Sequence, residues 1–246
     1  MTNLENRKNY ISLFLDLSKA FDCLDHSILL KKLHHYGLND ISIKLLQSYL
    51  TSRYQYVEIK PTADQLGNNI SDDNSSKNLS TDKIKSKLGL INKGVPQGSI
   101  LGPLLFLIHI NDFYKCSSFF SSIIYADDST FSAIIDQNND PSNLINLELE
   151  NVCKWLKSNH LFLNVDKTKY MIFTRKTSTI QLNLNINTKT LDQVNSFNFL
   201  GLTINNRLDW SQHLDNIGMQ NTKSEHRNIA PFKIRTTIWN FENFIL

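Results

Sequence analysis

Two adjacent aspartates stand between two apolar segments that favour β-strands. Asp127 and Asp128 follow Phe119–Ile124 and precede Ser129–Ile135, which predicts that they lie at the tip of a hairpin. Adjacent carboxylates repel each other, and a tight hairpin turn is more easily built from Gly or Asn. A divalent cation such as Mg²⁺ would relieve the repulsion, because it takes carboxylate and phosphate oxygens as ligands. Asp16 ends another apolar strand, and the three carboxylates together predict a two-metal centre for in-line attack on a phosphate.

Length and composition indicate a globular, weakly basic protein. The 246 residues can bury a core, as one domain or a domain with an appendage, and the net charge of +3 permits a nucleic-acid partner without arguing for one. Cys23, Cys116 and Cys153 have no zinc-binding spacing, which predicts reduced thiols in an intracellular protein of the nucleus or cytoplasm. The first ten residues lack a signal-peptide core, and the apolar run Ile100–Ile110 is too short to span a bilayer. We therefore expect no secretion and no membrane contact.

The N-terminal half alternates between predicted strands and helices. Asp25 can cap a helix that ends at Gly37, and Asn39 or Asp40 can cap a second helix that continues to about Ser52. The further elements predicted in this half are a strand at 54–59, a turn at 94–98 and a buried helix at 100–110.

Residues 61–87 are rich in Asn, Ser, Asp and Lys and show almost no apolar pattern. This composition predicts a long surface loop or insertion. Lys83, Lys85 and Lys87 could contact a phosphate backbone, although a solvated loop is the simpler interpretation.

The C-terminal half continues the alternation. Its predicted elements are an amphipathic helix at 141–158, strands at 161–163, 170–173 and 180–186, a strand pair at 196–204 around Gly201, and a helical segment beyond Trp210. The order of elements predicts an α+β fold, in which helices cover one face of a sheet.

Five motifs, in order between residue 11 and about residue 215, resemble those of reverse transcriptases from non-LTR (LINE-type) retrotransposons. They are Phe14-Leu15-Asp16-Leu17-Ser18-Lys19-Ala20-Phe21-Asp22 with Asp25-His26, Gly94-Val95-Pro96-Gln97-Gly98-Ser99-Ile100-Leu101-Gly102-Pro103-Leu104-Leu105-Phe106 with Ile110-Asn111-Asp112, Tyr125-Ala126-Asp127-Asp128, Leu163-Asn164-Val165-Asp166-Lys167-Thr168, and Phe197-Asn198-Phe199-Leu200-Gly201-Leu202 with Leu208-Asp209-Trp210 and His213. The third motif alone would be weak, whereas the second is nearly diagnostic. The resemblance implies an RNA-directed DNA polymerase with a palm fold, a ferredoxin-like antiparallel sheet with helices on one face. It also implies two Mg²⁺ ions, for which Mn²⁺ can substitute.

The resemblance implies a catalytic role for four side chains. Asp16 and Asp127 would bridge both metal ions, Asp128 would support them, and the backbone carbonyl of Leu17 would be a further ligand. Lys167 would stabilise or protonate the pyrophosphate leaving group. The structural alternatives are turn-forming aspartates and a solvated lysine.

The resemblance also implies contacts with nucleotide and primer. Phe21 would exclude a 2′-hydroxyl from the sugar site, and Gln97 and Gly98 would contact the incoming nucleotide and the template. Primer contacts are implied for four residues: Tyr125, Phe199, Leu200 and Gly201. The alternatives are a core aromatic at Phe21, an ordinary turn at Gln97 and Gly98, and an ordinary strand turn at Gly201.

The implied partners are an RNA template, a DNA primer and deoxynucleoside triphosphates, and the oligomeric state is not predicted. We expect a palm at 1–205 and a truncated or degenerate thumb-like tail at 206–246. The chain begins ten residues before the first palm strand, which predicts a partial domain without fingers. The alternative function is a catalytically inactive retroelement remnant that keeps the palm fold and binds nucleic acid weakly. A stand-alone two-metal nuclease would not explain the second and fifth motifs.

Overall fold

A computed structural model describes residues 9–59, 84–135, 140–174 and 181–224, with side chains described as far as residue 218. The chain divides into two compact units, one of Met1–Ala20 with Ile110–Leu246 and one of Phe21–His109. Cys23, Cys116 and Cys153 form no disulfide bond in the described part of the chain. Within the described ranges, no helix combines the length and the apolar character that crossing a membrane requires.

A five-stranded sheet forms the centre of the first unit. Its strands, from edge to edge, are β11 (Asp192–Gln193), β8 (Lys169–Phe173), β1 (Asn9–Asp16), β7 (Asp128–Ile135) and β6 (Ser121–Tyr125). Each neighbouring pair is antiparallel except β11 with β8. The structure thus has the mixed helix and sheet content that the element order predicts.

One face of this sheet packs on helices. Phe113 starts a 3₁₀ helix, Phe113–Cys116. Its ring is buried, and the ring centroid lies 5.0 Å from that of Phe131 in β7 and 4.6 Å from that of Trp155. Trp155 belongs to helix α5, Ser142–Ser158, whose buried residues recur at helical spacing. The amphipathic pattern predicts this helix but only part of its buried side, since Leu144 and Leu147, two of the residues in the pattern, are 45% and 53% exposed.

The opposite face carries a separate hairpin of β12 (Ser196–Phe199) and β13 (Leu202–Asn205). Phe14 of β1 stacks on Phe197, with ring centroids 4.2 Å apart and planes at 11°. The next helix is α6, Ser211–Ser224, and the strands β9 (Asn185–Ile186) and β10 (Lys189–Thr190) form a pair of their own. Helices are therefore not the only elements that cover the sheet.

The second unit is built from helices and short strands. They are helices α1 (Ala20–Cys23, from the last residue of the first unit), α2 (His26–His35), α3 (Asp40–Leu50) and α4 (Leu101–Ile110), and the strands β2 (Arg53–Gln55), β3 (Glu58–Ile59), β4 (Ile84–Lys85) and β5 (Gly89–Ile91). Strand β2 pairs with β5, and β3 pairs with β4. Asp25 and Asn39 cap α2 and α3 through side-chain oxygens that accept backbone N–H bonds, as predicted.

Helix α4 is buried on one side only. Leu105, Phe106 and Ile110 are at most 2% exposed, whereas Leu104 is 52% and Leu107 is 47% exposed. The prediction of a buried helix is wrong for Leu104 and Leu107. A continuously apolar segment has no pattern that reveals which of its sides is exposed.

Three strand predictions differ from the structure. Residues 54–59 are split between β2 and β3, with Tyr56 and Val57 outside both strands. In the segment 161–163, Leu163 forms an isolated bridge. In the segment 180–186, residue 180 lies outside the described residues and the structure has a strand at Asn185–Ile186. Alternation alone predicts strands even where a segment has too few backbone partners to form a ladder.

The predicted insertion at 61–87 lies mostly outside the described residues. Its last four residues are described, and Ile84–Lys85 forms a strand, so the loop prediction does not extend to them. The division between 1–205 and 206–246 stays a prediction.

Candidate active site

Asp16 and Asp128 face each other across two central strands. Asp16 is the last residue of β1 and Asp128 is the first of β7, and the antiparallel register pairs them directly. Paired residues point to the same face of a sheet, with Cβ atoms about 5 Å apart. Asp127 precedes Asp128 in the chain, so the three carboxylates predicted from sequence lie at one end of the sheet.

A strained turn presents Asp127. Tyr125 pairs with Asp128, which leaves Ala126 and Asp127 as a two-residue hairpin loop. Ala126 has φ of +53°, a left-handed conformation that costs a residue with a side chain about 1–2 kcal/mol. Turns with positive φ at the first central position favour Gly there. Such strain accumulates at functional sites, where the surrounding structure maintains it.

The carboxylates influence one another electrostatically. Partial burial raises the pKa of Asp128, and the charges of Asp127 and Asp16 raise it further. One cation partly offsets this repulsion, since Lys167 Nζ lies 3.9 Å from Asp16 Oδ2. Both side chains are substantially exposed, so the ion pair is weak by itself.

The donor set fits a hard divalent cation, although its ligands are not gathered in advance. Across the described ranges, no group of three or more His, Cys, Asp or Glu side chains has the arrangement needed to hold a metal ion. The side chains of Asp16, Asp127 and Asp128 nevertheless offer only carboxylate oxygens, the ligands that Mg²⁺ takes. Their mutual repulsion is also of the sign that a bound cation would relieve.

The loop that carries Lys167 is held by the backbone of Asp16. Asn164 N donates to Asp16 O at 2.8 Å, and Asp16 N donates to Thr168 Oγ1 at 3.4 Å. Thr168 is fully buried, and its backbone N and its Oγ1 both donate to Asn164 O at 2.9 Å. Asn164 and Thr168 therefore position Lys167 beside Asp16. Sequence reasoning assigns them no role, although both stand in the fourth motif.

The backbone carbonyl of Leu17 is not used by the neighbouring bridge. Leu17 pairs with Leu163, and the two hydrogen bonds of this bridge run from Ser18 N to Phe162 O and from Asn164 N to Asp16 O. The Leu17 carbonyl stands next to Asp16 in the chain and remains outside these bonds.

Phe21 and the second motif are joined within the second unit. Phe21 is half-buried against Phe106, with ring centroids 4.5 Å apart. Gly94 has φ of +77°, and a Cβ at this residue would lie 2.8 Å from the Cα of Asp22. Gly94 O accepts hydrogen bonds from the His26 ring at 2.7 Å and from the Arg53 guanidinium at 3.1 Å.

His26 and Arg53 both hold the backbone of the second motif at Gly94, a structural role that the sequence does not reveal for Arg53. Their shared acceptor is 68 and 41 residues away in the chain, and only the fold brings these groups together. The place of His26 in the first motif favours a structural role for it, and its hydrogen bond to Gly94 O agrees with that interpretation.

The exposed amide of Gln97 hydrogen-bonds to the exposed carboxylate of Asp22, from Nε2 to Oδ1 at 2.9 Å. Gly98 has φ of +77°, and a Cβ there would meet nothing within 4 Å. Phe21, Gln97 and Gly98 thus all lie in the second unit, whereas the carboxylates and Lys167 lie in the first.

The residues predicted to contact a primer lie on two hairpin tips of the first unit. Tyr125 is 64% exposed and is paired with Asp128. Phe199 lies 6.1 Å from Phe14 between ring centroids. At the tip of the β12–β13 hairpin, Leu200 is exposed with φ of +49°, and Gly201 has φ of +83°.

Helix α6 is attached to the β12–β13 hairpin by polar contacts. Thr203 N donates to His213 Nδ1 at 3.3 Å, and Asn216 donates to Thr203 Oγ1 at 3.0 Å. Asp209 accepts from Asn205 of β13 at 2.9 Å and from Ser211 N, the first residue of α6, at 3.1 Å. The end of the fifth motif therefore joins the hairpin to the helix.

The chain is similar to polymerases of mobile elements. It is 23% identical over 221 residues to the RNA-directed DNA polymerase from mobile element jockey of Drosophila melanogaster, an alignment that covers 87% of the chain and 22% of that protein. It is 26% identical over 217 residues to the probable RNA-directed DNA polymerase from transposon BS of the same organism, covering 82% and 21%. The chain thus spans about a fifth of the length of these curated relatives.

Among solved structures, the chain is similar to telomerases. Apo telomerase from Candida tropicalis, truncated from its C-terminal domain, aligns with a TM-score of 0.47 and 15% identity over 82% of this chain and 35% of that one. Telomerase from Candida albicans with a fragment of telomeric RNA aligns with a TM-score of 0.43 and 20% identity, covering 82% and 30%.

The family comparison covers most of the chain. Residues 1–204 match the family described as reverse transcriptase (RNA-dependent DNA polymerase), which includes four complete motifs and most of the fifth. Together with the relatives from mobile elements, this match confirms the resemblance predicted from the motifs. The chain belongs to the reverse transcriptase (RNA-dependent DNA polymerase) family.

Proposed function

We propose that the chain is the polymerase domain of a non-LTR retrotransposon reverse transcriptase, which adds deoxynucleotides to a DNA primer on an RNA template. The observation that carries the proposal is the pairing of Asp16 with Asp128 at the end of two central strands, with Asp127 in the adjoining turn. The four antiparallel strands, with a helix layer on one face, support a ferredoxin-like palm as the finer description of the fold.

Four groups would hold two Mg²⁺ ions: the carboxylates of Asp16, Asp127 and Asp128 and the backbone carbonyl of Leu17. When bound, the ions would lower the pKa of the primer 3′-hydroxyl and neutralise negative charge on the triphosphate. The strained turn at Ala126 supports this assignment, because it fixes the direction in which Asp127 points at the cost of local stability.

Lys167 would act on the leaving group. Its ammonium lies beside Asp16, and the bonds of Asn164 and Thr168 to the Asp16 backbone hold its loop. An ammonium in this place can stabilise the negative charge that develops on the leaving pyrophosphate, or donate a proton to it.

Phe21, Gln97 and Gly98 would select the incoming nucleotide. Tyr125 and the tip of the β12–β13 hairpin would contact the primer end. The ring of Phe21 is fixed by Phe106, so it can exclude a 2′-hydroxyl by its bulk. Exposure of Tyr125 and Leu200 leaves both side chains accessible to a ligand.

The direct test is addition of one deoxynucleotide to a DNA primer on an RNA template by the purified chain, with Mg²⁺ or Mn²⁺. We expect slow addition that Asp16→Asn or Asp127→Asn abolishes. Both variants should also lose the rise in melting temperature that the divalent cation gives the unaltered chain. Asp215→Asn, at an exposed position of α6, is the matched control and should change neither quantity. If the unaltered chain adds no deoxynucleotide, or if addition survives both substitutions, the proposal is wrong.

Sugar selection has its own test. Phe21→Val should raise incorporation of ribonucleotides relative to deoxynucleotides, because removal of the ring makes room for the 2′-hydroxyl. Unchanged preference would assign Phe21 to packing against Phe106 alone.

A further inference from the structure

The hydrogen bond between Asp22 and Gln97 joins two motifs that are 75 residues apart in the chain. Its geometry has a definite direction. An ionised carboxylate only accepts hydrogen bonds, so the Gln97 nitrogen must be the atom that faces Asp22. The carbonyl oxygen Oε1 of Gln97 is then turned away from Asp22 and can accept a hydrogen bond from another group.

The backbone around this bond holds both residues in place. Val95 N donates to Phe21 O at 3.0 Å, and Gly94 N donates to Leu24 O at 2.7 Å. These bonds bracket Asp22 on one segment and lie just before Gln97 on the other. The absence of a side chain at Gly94 allows the two segments to approach, since a Cβ would clash with the Asp22 backbone. These contacts therefore hold the backbones of Asp22 and Gln97 at a fixed distance from each other.

We propose that Asp22 is a positioning residue, which fixes the Gln97 amide with Oε1 as an acceptor for a hydroxyl of the nucleotide sugar. The inference rests on the proposed function, in which Gln97 contacts the incoming nucleotide. An unrestrained Gln amide presents either its NH₂ or its oxygen with nearly equal ease, because the two orientations have the same shape. Asp22 removes this ambiguity.

A fixed acceptor discriminates between nucleotides. A sugar with a 3′-hydroxyl can donate to Oε1, whereas a 2′,3′-dideoxynucleotide has no donor there and leaves the acceptor unpaired. Loss of one hydrogen bond of this kind changes relative use of the two nucleotides by about tenfold.

The orientation can be measured without activity, from the ¹⁵N-resolved side-chain amide resonances of Gln97 in the full chain. We expect Asp22→Ala to shift these resonances away from their positions in the unaltered chain, because the carboxylate that accepts from the amide is gone. Asp22→Glu should shift them less, since its longer side chain keeps a carboxylate. The amide of Gln47, on exposed α3, is the control and should be insensitive to all three residues at position 22.

The consequence can be measured by addition of a single nucleotide, comparing dTTP with ddTTP opposite a template A. The unaltered chain should prefer dTTP, and Asp22→Ala should reduce this preference by about tenfold, through nucleotide affinity rather than maximal rate. Asp22→Asn should behave similarly, because an Asn can accept from or donate to the Gln97 amide and so permits both orientations. Asp22→Glu should recover most of the preference.

The two measurements separate the possible failures. A Gln97 amide that ignores Asp22, or a dTTP preference that Asp22→Ala leaves intact, overturns the inference. If the amide responds to Asp22 while no variant adds nucleotides, the proposed polymerase function fails, and with it the nucleotide-selecting role of Asp22. The response of the amide and a reduced preference, found together, support it.

Discussion

Two hairpins of the first unit end in similarly strained turns but are held in different ways. The β6–β7 hairpin carries Asp127 and Asp128, and the β12–β13 hairpin carries Leu200. Each has a two-residue loop with a non-glycine residue at positive φ, +53° at Ala126 and +49° at Leu200. Strand β7 lies between β1 and β6 inside the sheet, whereas β12 and β13, among the strands that the structure describes, pair only with each other.

The β6–β7 hairpin is held mainly by backbone hydrogen bonds, whereas the β12–β13 hairpin is held mainly by side-chain contacts. Eight residues of β7 pair with β1, and five pair with β6, so the carboxylate turn continues a hydrogen-bonded ladder on both sides. The β12–β13 hairpin instead contacts the sheet through stacked rings, Phe197 on Phe14, and contacts α6 through Thr203 and His213. Substitution of side chains should therefore affect the second hairpin more than the first in stability, and the first more than the second in chemistry.

The largest expected effect is on chemistry at the β6–β7 turn. Asp127→Asn should lower the rate of nucleotide addition by about a thousandfold or more, because it removes a charge that holds the cations. Its free energy of unfolding should change by less than about 1 kcal/mol, since the turn is exposed. The measurement is single-turnover addition together with urea unfolding of the same preparation. A large loss of stability would mean that the ladder does not support this turn as argued.

The next effect is on the attachment of the β12–β13 hairpin. Phe197→Ala removes a ring stacked on Phe14 and should cost about 2–3 kcal/mol, less than a fully buried Phe because Phe197 is only half-buried. Hydrogen exchange should rise in β12 and β13 and stay unchanged in β6 and β7. Phe162→Ala, at a 58% exposed phenylalanine, is the control and should be nearly neutral. Equal loss of protection in both hairpins would remove the distinction between them.

Sequence predicts the elements of both hairpins but not their different support. The apolar runs around Asp127, and the run around Gly201, give the strands and the turns directly. Pairing of Asp16 with Asp128, over 112 positions, depends on strand order, which periodicity does not encode. The same limit explains why the attachment of Thr168 to the Asp16 backbone is not foreseen. Helix α4 shows the converse, since a uniformly apolar segment predicts a helix without its exposed side.

Relief of the strained turns should have a smaller effect, and the sign should be the same in both hairpins. Ala126→Gly and Leu200→Asn each place a residue that tolerates positive φ, and each should stabilise the chain by about 1 kcal/mol. The measurement is the urea midpoint at unchanged slope. The two variants should differ in their effect on function. Leu200→Asn should weaken primer binding, because an apolar contact is lost. Ala126→Gly should slow nucleotide addition, because Asp127 is held less firmly. If both variants are more stable and neither changes in function, the strained turns are not needed to hold Asp127 or to bind the primer.

The smallest effect is on the pH dependence of stability, and it should have opposite signs in the two regions. Partial burial and the neighbouring charges of Asp127 and Asp16 raise the pKa of Asp128 above the ordinary 3.8, so its contribution to stability is complete below that value and is lost as the pH rises through the raised pKa. Hydrogen bonds from the side chains of Ser211 and Asn205 lower the pKa of Asp209, so its contribution is present above 3.8 and is lost as the pH falls through the lowered pKa.

In buffer free of divalent cations at pH 7, Asp128→Asn should therefore be slightly more stable than the unaltered chain, by about 0.5 kcal/mol or less because solvent screens an exposed carboxyl. Asp209→Asn should be slightly less stable, since Asn keeps a capping oxygen but not the charge. The Asp128 difference should shrink as the pH falls from the raised pKa towards 3.8, and the Asp209 difference should shrink only as the pH falls below 3.8 towards its lowered pKa. Thermal melting of the three proteins between pH 3 and pH 7 measures this. Two differences of the same sign would contradict the view that one region concentrates repelling carboxylates while the other uses a carboxylate to join a strand to a helix.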